Sequence, residues 1–248
     1  MLAIIGGTGL TQLANFEITH RQVIRTPYGE PSGALIFGNI GQHGVVFLAR
    51  HGYGHTIPPH EVNYRANIWA LHSQKVRKVV SVASVGGIHA DLSPGKIVIP
   101  DQIIDYTYGR KNTFFEKDKT VTHMDFTEPY CEKMRQRCMS ALVASNEQFI
   151  DGGVYATMQG PRLETKAEIN RLERDGATMV GMTGMPEAAL AKEMGLCYAA
   201  IGVVANYAAG RGTSAHRISY EEIDSVLEVA MGRVRNVLEH LVELDDAD

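Results

Sequence analysis

Cysteine is scarce in this chain. Cys131, Cys138 and Cys197 are odd in number and lack metal-ligand spacing, so neither a disulfide framework nor a zinc site is expected, and all three read as structural thiols. Long apolar runs are missing too: no stretch approaches the roughly 18 residues of a membrane helix. No charge of one sign dominates, with 24 basic against 28 acidic residues and a net charge of −4. That spread offers no surface to a nucleic acid or a membrane. The opening MLAIIGGTGL has no basic region, and Gly and Thr interrupt its apolar run, so it does not read as a signal peptide. Together these features lead us to expect a cytoplasmic protein. Repeats, low-complexity segments and linkers rich in Pro, Gly or Ser are also lacking, which favours a single domain over residues 1–248.

What is present is an alternation of short apolar runs with helical patterns. LAIIGG (2–7), GALIFGNI (33–40), GVVFLARHG (44–52), KVVSVASVGG (78–87), KIVIPDQIID (96–105), GGVYATMQG (152–160), TMVGMTG (178–184) and CYAAIGVVANY (197–207) predict strands. Residues 59–75, 128–145, 165–176, 186–195 and 219–244 predict helices. In the last, Ser219 stands as N-cap with Glu222 placed to complete a capping box. The fold class is α/β, with a central mixed sheet, partly barrel-like, flanked by helices.

Several strand ends carry chemistry. IGGTGL (5–10) follows a strand, but its glycine spacing is not G-x-G-x-x-G and no acidic residue ends a second strand about 20 residues on. What remains is a turn whose backbone N–H groups and Thr8 hydroxyl can wrap a small anion; a tight turn with no ligand is the plain alternative. Arg50 and His51 end another strand, with Arg50 suited to bidentate pairing with a phosphate and His51 to a further donated hydrogen bond. His51, His55 and His60 do not form a metal site, because two prolines break any helical spacing. Ser84 precedes Gly86 and Gly87, small residues that let a ligand approach the backbone. Gln159, Gly160 and Arg162 form a turn before a helix whose N-cap region holds Glu164 and Thr165. Met182 and Thr183 end a strand before a helix opened by Pro186 and Glu187.

GGTGL, LARHG with VNYRANIWAL, VGGI with IVIPDQ, QGPR, MVGMTGMPEA and the strand ending in NY occur in an order that resembles one family, over about residues 3 to 210. It is that of the trimeric purine nucleoside phosphorylases and methylthioadenosine phosphorylases. VNYRANIWAL, with its single Trp69, looks like the methylthioadenosine branch. The resemblance implies attack of phosphate on C1′ of a purine nucleoside, with phosphate as co-substrate, no metal or cofactor, and a homotrimer. It implies a phosphate site of Thr8, Arg50, His51 and Thr183 with the backbone near Ala83 and Ser84. Ala83 stands where the family often has threonine, so Ser84 and backbone donors must serve. Met182 would lie under the ribose, with Glu164 or Thr165 nearer the rim, and the purine would sit among Val180, Gly181 and Leu163. Leu163 replaces a frequent aromatic. Ile218, Tyr220 and Ile223 would close the 5′ end, where either the Tyr220 hydroxyl or His123, the latter given by a neighbouring subunit, could meet a 5′-hydroxyl.

The methylthioadenosine branch ends this strand in D-Y-D, whereas this chain has Asn206 and Ala208. Asn206 is therefore the expected catalytic contact to the leaving purine. An amide offers a donor and an acceptor together, which suits a 6-oxopurine, and apolar walls at the 5′ end suit a methylthio group. The expected substrate is 5′-methylthioinosine, with methylthioadenosine or inosine and guanosine as alternatives. An Asn capping the following turn, an NAD-dependent oxidoreductase and a non-catalytic phosphate or purine binder are the competing readings.

Overall fold

A strand buried on both faces needs apolar residues at every position, and LAIIG at the start of the chain has them. In the computed structural model, which describes residues 1–10, 15–116 and 120–245, this segment is β1 (Leu2–Gly6). Leu2 and Ile4 face one helical layer, while Ala3 and Ile5 face the other. The first layer holds α2 (Glu132–Ala144) and α5 (Tyr220–Asp245); the second holds α1 (Tyr64–Ser73) and α4 (Gly184–Glu193). In α5, Leu227, Ala230, Met231, Val234, Val237, Leu238 and Leu241 are buried, the stripe that a 3.6-residue period demands.

Beside β1 run β4 (His43–Ala49) and β5 (Lys78–Gly87), both parallel to it. β3 (Leu35–Ile40) pairs antiparallel with β4. β5 also pairs with β10 (Met179–Gly181), antiparallel, and along its whole length with β11 (Cys197–Tyr207), parallel. The sheet thus branches at β5. One arm continues through β9 (Val154–Thr157) to β7 (Gln102–Asp105), and the other from β11 through β6 (Ile97–Ile99) to β8 (Phe149–Asp151). The expected run 96–105 is therefore two strands, broken where Pro100 cannot donate to a ladder. β2 (Phe16–Gln22) and β8 had no counterpart in the sequence reading. β2 is an exposed edge of mostly polar residues paired with β3, so burial imposed no apolar alternation on it.

Helix ends follow side-chain chemistry. Asn63 Oδ1 accepts from Ala66 N–H, which starts α1 at Tyr64, later than the expected 59. Before α3 (Lys166–Arg174), Thr165 and Glu168 complete a capping box. Ser219 Oγ accepts from Glu222 N–H at 3.3 Å, the expected cap of α5. Met185 is extended, so the regular turns of α4 open at Pro186.

The thiol expectation is corrected for two of the three cysteines. Cys131, the N-cap of α2, and Cys197, the first residue of β11, form a disulfide, and only Cys138 is free and buried. The pair lies 66 residues apart in sequence. It meets because Cys131 N–H donates to the Tyr198 carbonyl at 2.8 Å, a proximity no local spacing announces. Among the described residues no helix is long and apolar enough to cross a membrane.

Candidate active site

The parallel strands β1, β4 and β11 end on one side of the sheet, where open α/β folds place their ligands. A cavity of about 630 Å³ lies there. Among its walls are Thr8 after β1, Arg50 and His51 after β4, Ala83 and Ser84 in β5, and Thr183 after β10. These residues, scattered over some 175 positions, are the whole expected phosphate set.

Backbone crowding explains the small residues. A Cβ on Gly7 would meet the Val82 carbonyl at 2.5 Å and Arg50 Nη1 at 2.9 Å, so glycine there lets β1 close over the arginine. A Cβ on Gly160, whose φ is +62°, would meet Met182 Sδ at 2.5 Å.

Arg50 is fully buried, and its fork faces Glu187 rather than open cavity. Nε donates to Glu187 Oε2 at 2.6 Å and Nη2 to Oε1 at 2.9 Å; Nη2 also donates to Ser81 Oγ at 2.6 Å and Nη1 to the Val82 carbonyl at 3.1 Å. Four of the five guanidinium hydrogens are thus committed. The expected bidentate grip on phosphate is corrected to a single remaining N–H on Nη1. Burial disfavours the charge, but Glu187 more than offsets it and holds Arg50 above its ordinary value. Tyr198 Oη donates to the same Glu187 carboxylate at 2.8 Å.

His51 Nδ1 lies 2.8 Å from the Ile57 carbonyl, which can only accept, so Nδ1 carries the proton. Burial first, and the Arg50 charge second, push the ring down to about 4. Neutral with Nδ1–H fixed, it presents Nε2 as an acceptor. In that state His51 can take a hydrogen bond from a protonated phosphate oxygen, whereas the expected donor role needs the imidazolium, which a phosphate dianion beside it would favour. The hydroxyls of Thr8, Ser84 and Thr183 are donors on the same walls.

Val180, Gly181, Met182, Leu163, Asn206 and Ala208 also line the cavity. β11 carries a bulge between Val204 and Asn206, which pair with Val85 and Gly86. The extra residue, Ala205, lets Ala205 and Asn206 both face the cavity, which regular alternation forbids. Asn206 Nδ2 donates to the Tyr207 carbonyl at 2.7 Å. This bond to the next residue's carbonyl is not the expected cap on the following turn, and it leaves one N–H and Oδ1 for a ligand. Buried Ala208 packs against Gly86 without offering a polar group.

Ile218, Ile223 and Tyr220 line the mouth, although Tyr220 is 68% exposed. His123 is exposed and is not among the lining residues. Two acidic residues were underrated or missed. Glu164, expected only near the rim, is a half-buried cavity wall, and burial pushes its carboxyl up. Asp224 joins the mouth from the first turns of α5. It follows Ile223 on the helix, so its polarity masked it as a solvated position. His55, which also lines the cavity, lies 3.5 Å from Thr8 Oγ1. Among the described residues no three His, Cys, Asp or Glu side chains are arranged to hold a metal ion.

Hydroxyl donors and a guanidinium N–H joined to an apolar slot with an amide and a carboxylate suit an enzyme that brings phosphate to a heterocyclic glycoside. The chain belongs to the phosphorylase superfamily, whose family model matches residues 1–243. It is 52% identical over 237 residues to a probable S-methyl-5′-thioinosine phosphorylase of Pseudomonas syringae pv. tomato, covering 95% of this chain and 96% of that one. It is 41% identical to a probable 6-oxopurine nucleoside phosphorylase of Thermococcus kodakarensis, covering 98% and 91%. Among solved structures it is similar to the methylthioadenosine phosphorylase of Schistosoma mansoni in complex with adenine, with a TM-score of 0.95, 32% identity and coverage of 100% and 92%.

Proposed function

We propose that the chain is a purine nucleoside phosphorylase whose preferred substrate is S-methyl-5′-thioinosine, yielding hypoxanthine and 5-methylthioribose 1-phosphate. A phosphate oxygen bonds to C1′ as the C1′–N9 bond breaks, the electron pair stays on the purine, and the proton that hydrogen phosphate gives up reaches the purine through solvent. Thr8, Ser84, Thr183 and the one free Arg50 N–H hold phosphate beside the developing positive charge on the sugar. His51 Nε2 accepts from the protonated phosphate oxygen. Asn206 donates toward O6 or N7 as negative charge gathers on the departing base.

The observation that carries the 6-oxo preference is Glu164 and Asn206 in one cavity. As a carboxylate, Glu164 accepts from the N1–H that a 6-oxopurine presents. A 6-aminopurine presents a bare N1 instead, which sets acceptor against acceptor. Ile218, Ile223 and Leu227 favour a methylthio group at the 5′ end. Asp224 favours a second reading, inosine or guanosine, because a carboxylate at the mouth can accept from a 5′-hydroxyl.

Methylthioinosine, methylthioadenosine and inosine, each incubated with and without phosphate, test the reading by release of base. Methylthioinosine turned over fastest, and only with phosphate, is the expected result. Faster methylthioadenosine overturns the base assignment, faster inosine the 5′ assignment, and phosphate-independent turnover the reaction itself. The reaction requires no metal or cofactor. We also propose a homotrimer, testable by light scattering as three times the 27.2 kDa chain, in a cytoplasmic setting. The Cys131–Cys197 disulfide weighs against that setting, because reducing compartments rarely retain disulfides.

A further inference from the structure

Arg110 lies outside the cavity, in the segment after β7, and among the described residues no acidic group takes its hydrogen bonds. Its five N–H groups are all directed at neutral acceptors. Nε donates to Gln159 Oε1 at 3.2 Å. Nη1 donates to the carbonyls of Met182 at 2.8 Å and Met185 at 2.6 Å, with Tyr64 Oη at 3.3 Å. Nη2 donates to the carbonyls of Gln159 at 2.8 Å and Met158 at 3.3 Å.

These acceptors belong to three separate cavity walls. Met158 and Gln159 lead into the loop of Pro161, Leu163 and Glu164; Met182 and Met185 flank Thr183; and Tyr64 in turn donates to the carbonyl of Pro59 at 2.9 Å, another wall residue. The guanidinium also lies over the Tyr64 ring, 5.4 Å from its centroid. Gly160 and Met182 meet so closely that no Cβ fits between them, so small movements of one loop displace the other.

We infer that Arg110 is a positioning residue that clamps the base-reading loop to the segment carrying Met182 and Thr183, and so sets the distance between bound purine and bound phosphate. Rigid placement of that kind is worth much of a displacement reaction, since a misplacement of about 1 Å can cost about 10²-fold in rate. Lysine cannot substitute: it has three donors and no planar fork to span these six acceptors. The inference rests on the phosphorylase reading for its kinetic consequence, but the clamp itself is independently measurable.

Arg110→Lys and Arg110→Ala test it. In both, kcat is expected to fall about 10²-fold, and KM for the nucleoside should rise more than KM for phosphate, because of the proposed phosphate groups only Thr183 is held by the clamp, while Thr8 follows β1, Arg50 follows β4 and Ser84 lies in β5. Added guanidinium ion should restore part of kcat in Arg110→Ala, which a variant damaged only in folding would not show. Hydrogen exchange at residues 158–164 and 182–185 should quicken in both variants. A Lys variant with wild-type kcat, KM values and exchange rates overturns the inference, and it decides the matter should the Ala variant not fold. Faster exchange in a protein whose wild type shows no phosphate-dependent turnover would leave the clamp standing and refute the phosphorylase reading instead.

Discussion

At the scale of single residues, the proposed selectivity rests on what Asn206 and Glu164 can donate and accept. Asn206→Asp is expected to lower kcat/KM for methylthioinosine by on the order of 10²-fold and to shift preference toward 6-aminopurines. The shift should be incomplete, because Ala208 supplies no second carboxylate and Glu164 still faces a bare N1. Competition between methylthioinosine and methylthioadenosine measures it, and unchanged selectivity would place base recognition elsewhere. His51 makes a different prediction. Its value falls from 6.5 to about 4 on folding, so the unfolded chain binds the proton more readily between those limits. The stability this contributes is complete above pH 6.5 and is lost as pH falls toward 4, by up to about 3 kcal/mol. Thermal melts of wild type and His51→Asn across that window should converge at the acid end. Residue identities such as Thr8, His51, Thr183 and Asn206 were legible in the sequence because their motifs are specific. The tautomer of His51 was not, since it depends on the carbonyl of Ile57.

At the scale of elements, the strands buried on both faces were the readable ones. KVVSVASVGG and CYAAIGVVANY coincide with β5 and β11 end to end, because continuous burial leaves continuous apolar sequence. The bulge at Ala205 had no signature, as nothing in VVANY distinguishes an extra residue from a regular one. Nor did the pairing of β4 with α4 through Arg50 and Glu187, residues 137 positions apart. That pair predicts its own disruption: Glu187→Gln leaves a buried guanidinium without a counter-charge. The loss of stability should be about 3–5 kcal/mol, read by denaturant unfolding. A change under 1 kcal/mol would mean that Arg50 had found another partner.

At the scale of the whole molecule, the disulfide ties the entry of β11 to the start of α2 and closes a long loop. In the chain-entropy account, a loop of the 66-residue separation seen here confers about 4 kcal/mol on the folded state. Reduction, or Cys131→Ser, should lower the melting temperature while leaving turnover per folded molecule at 25 °C unchanged. A large loss of turnover at a temperature where the protein remains folded would instead tie the bond to the cavity. Sequence alone could give the α/β alternation and the family, but the branching of the sheet at β5 and the meeting of two distant cysteines are products of tertiary closure.

The groups proposed to hold phosphate lie in β5 or follow β1, β4 and β10, whereas those proposed to meet the purine edge stand on β11 and the loop before α3. Inheritance can therefore alter one without disturbing the other. A lineage can trade one nucleobase for another by changes at positions such as 164, 206 and 208 while its bond-breaking apparatus passes down untouched. Chains sharing a third to a half of their residues can then diverge in diet before they diverge in chemistry.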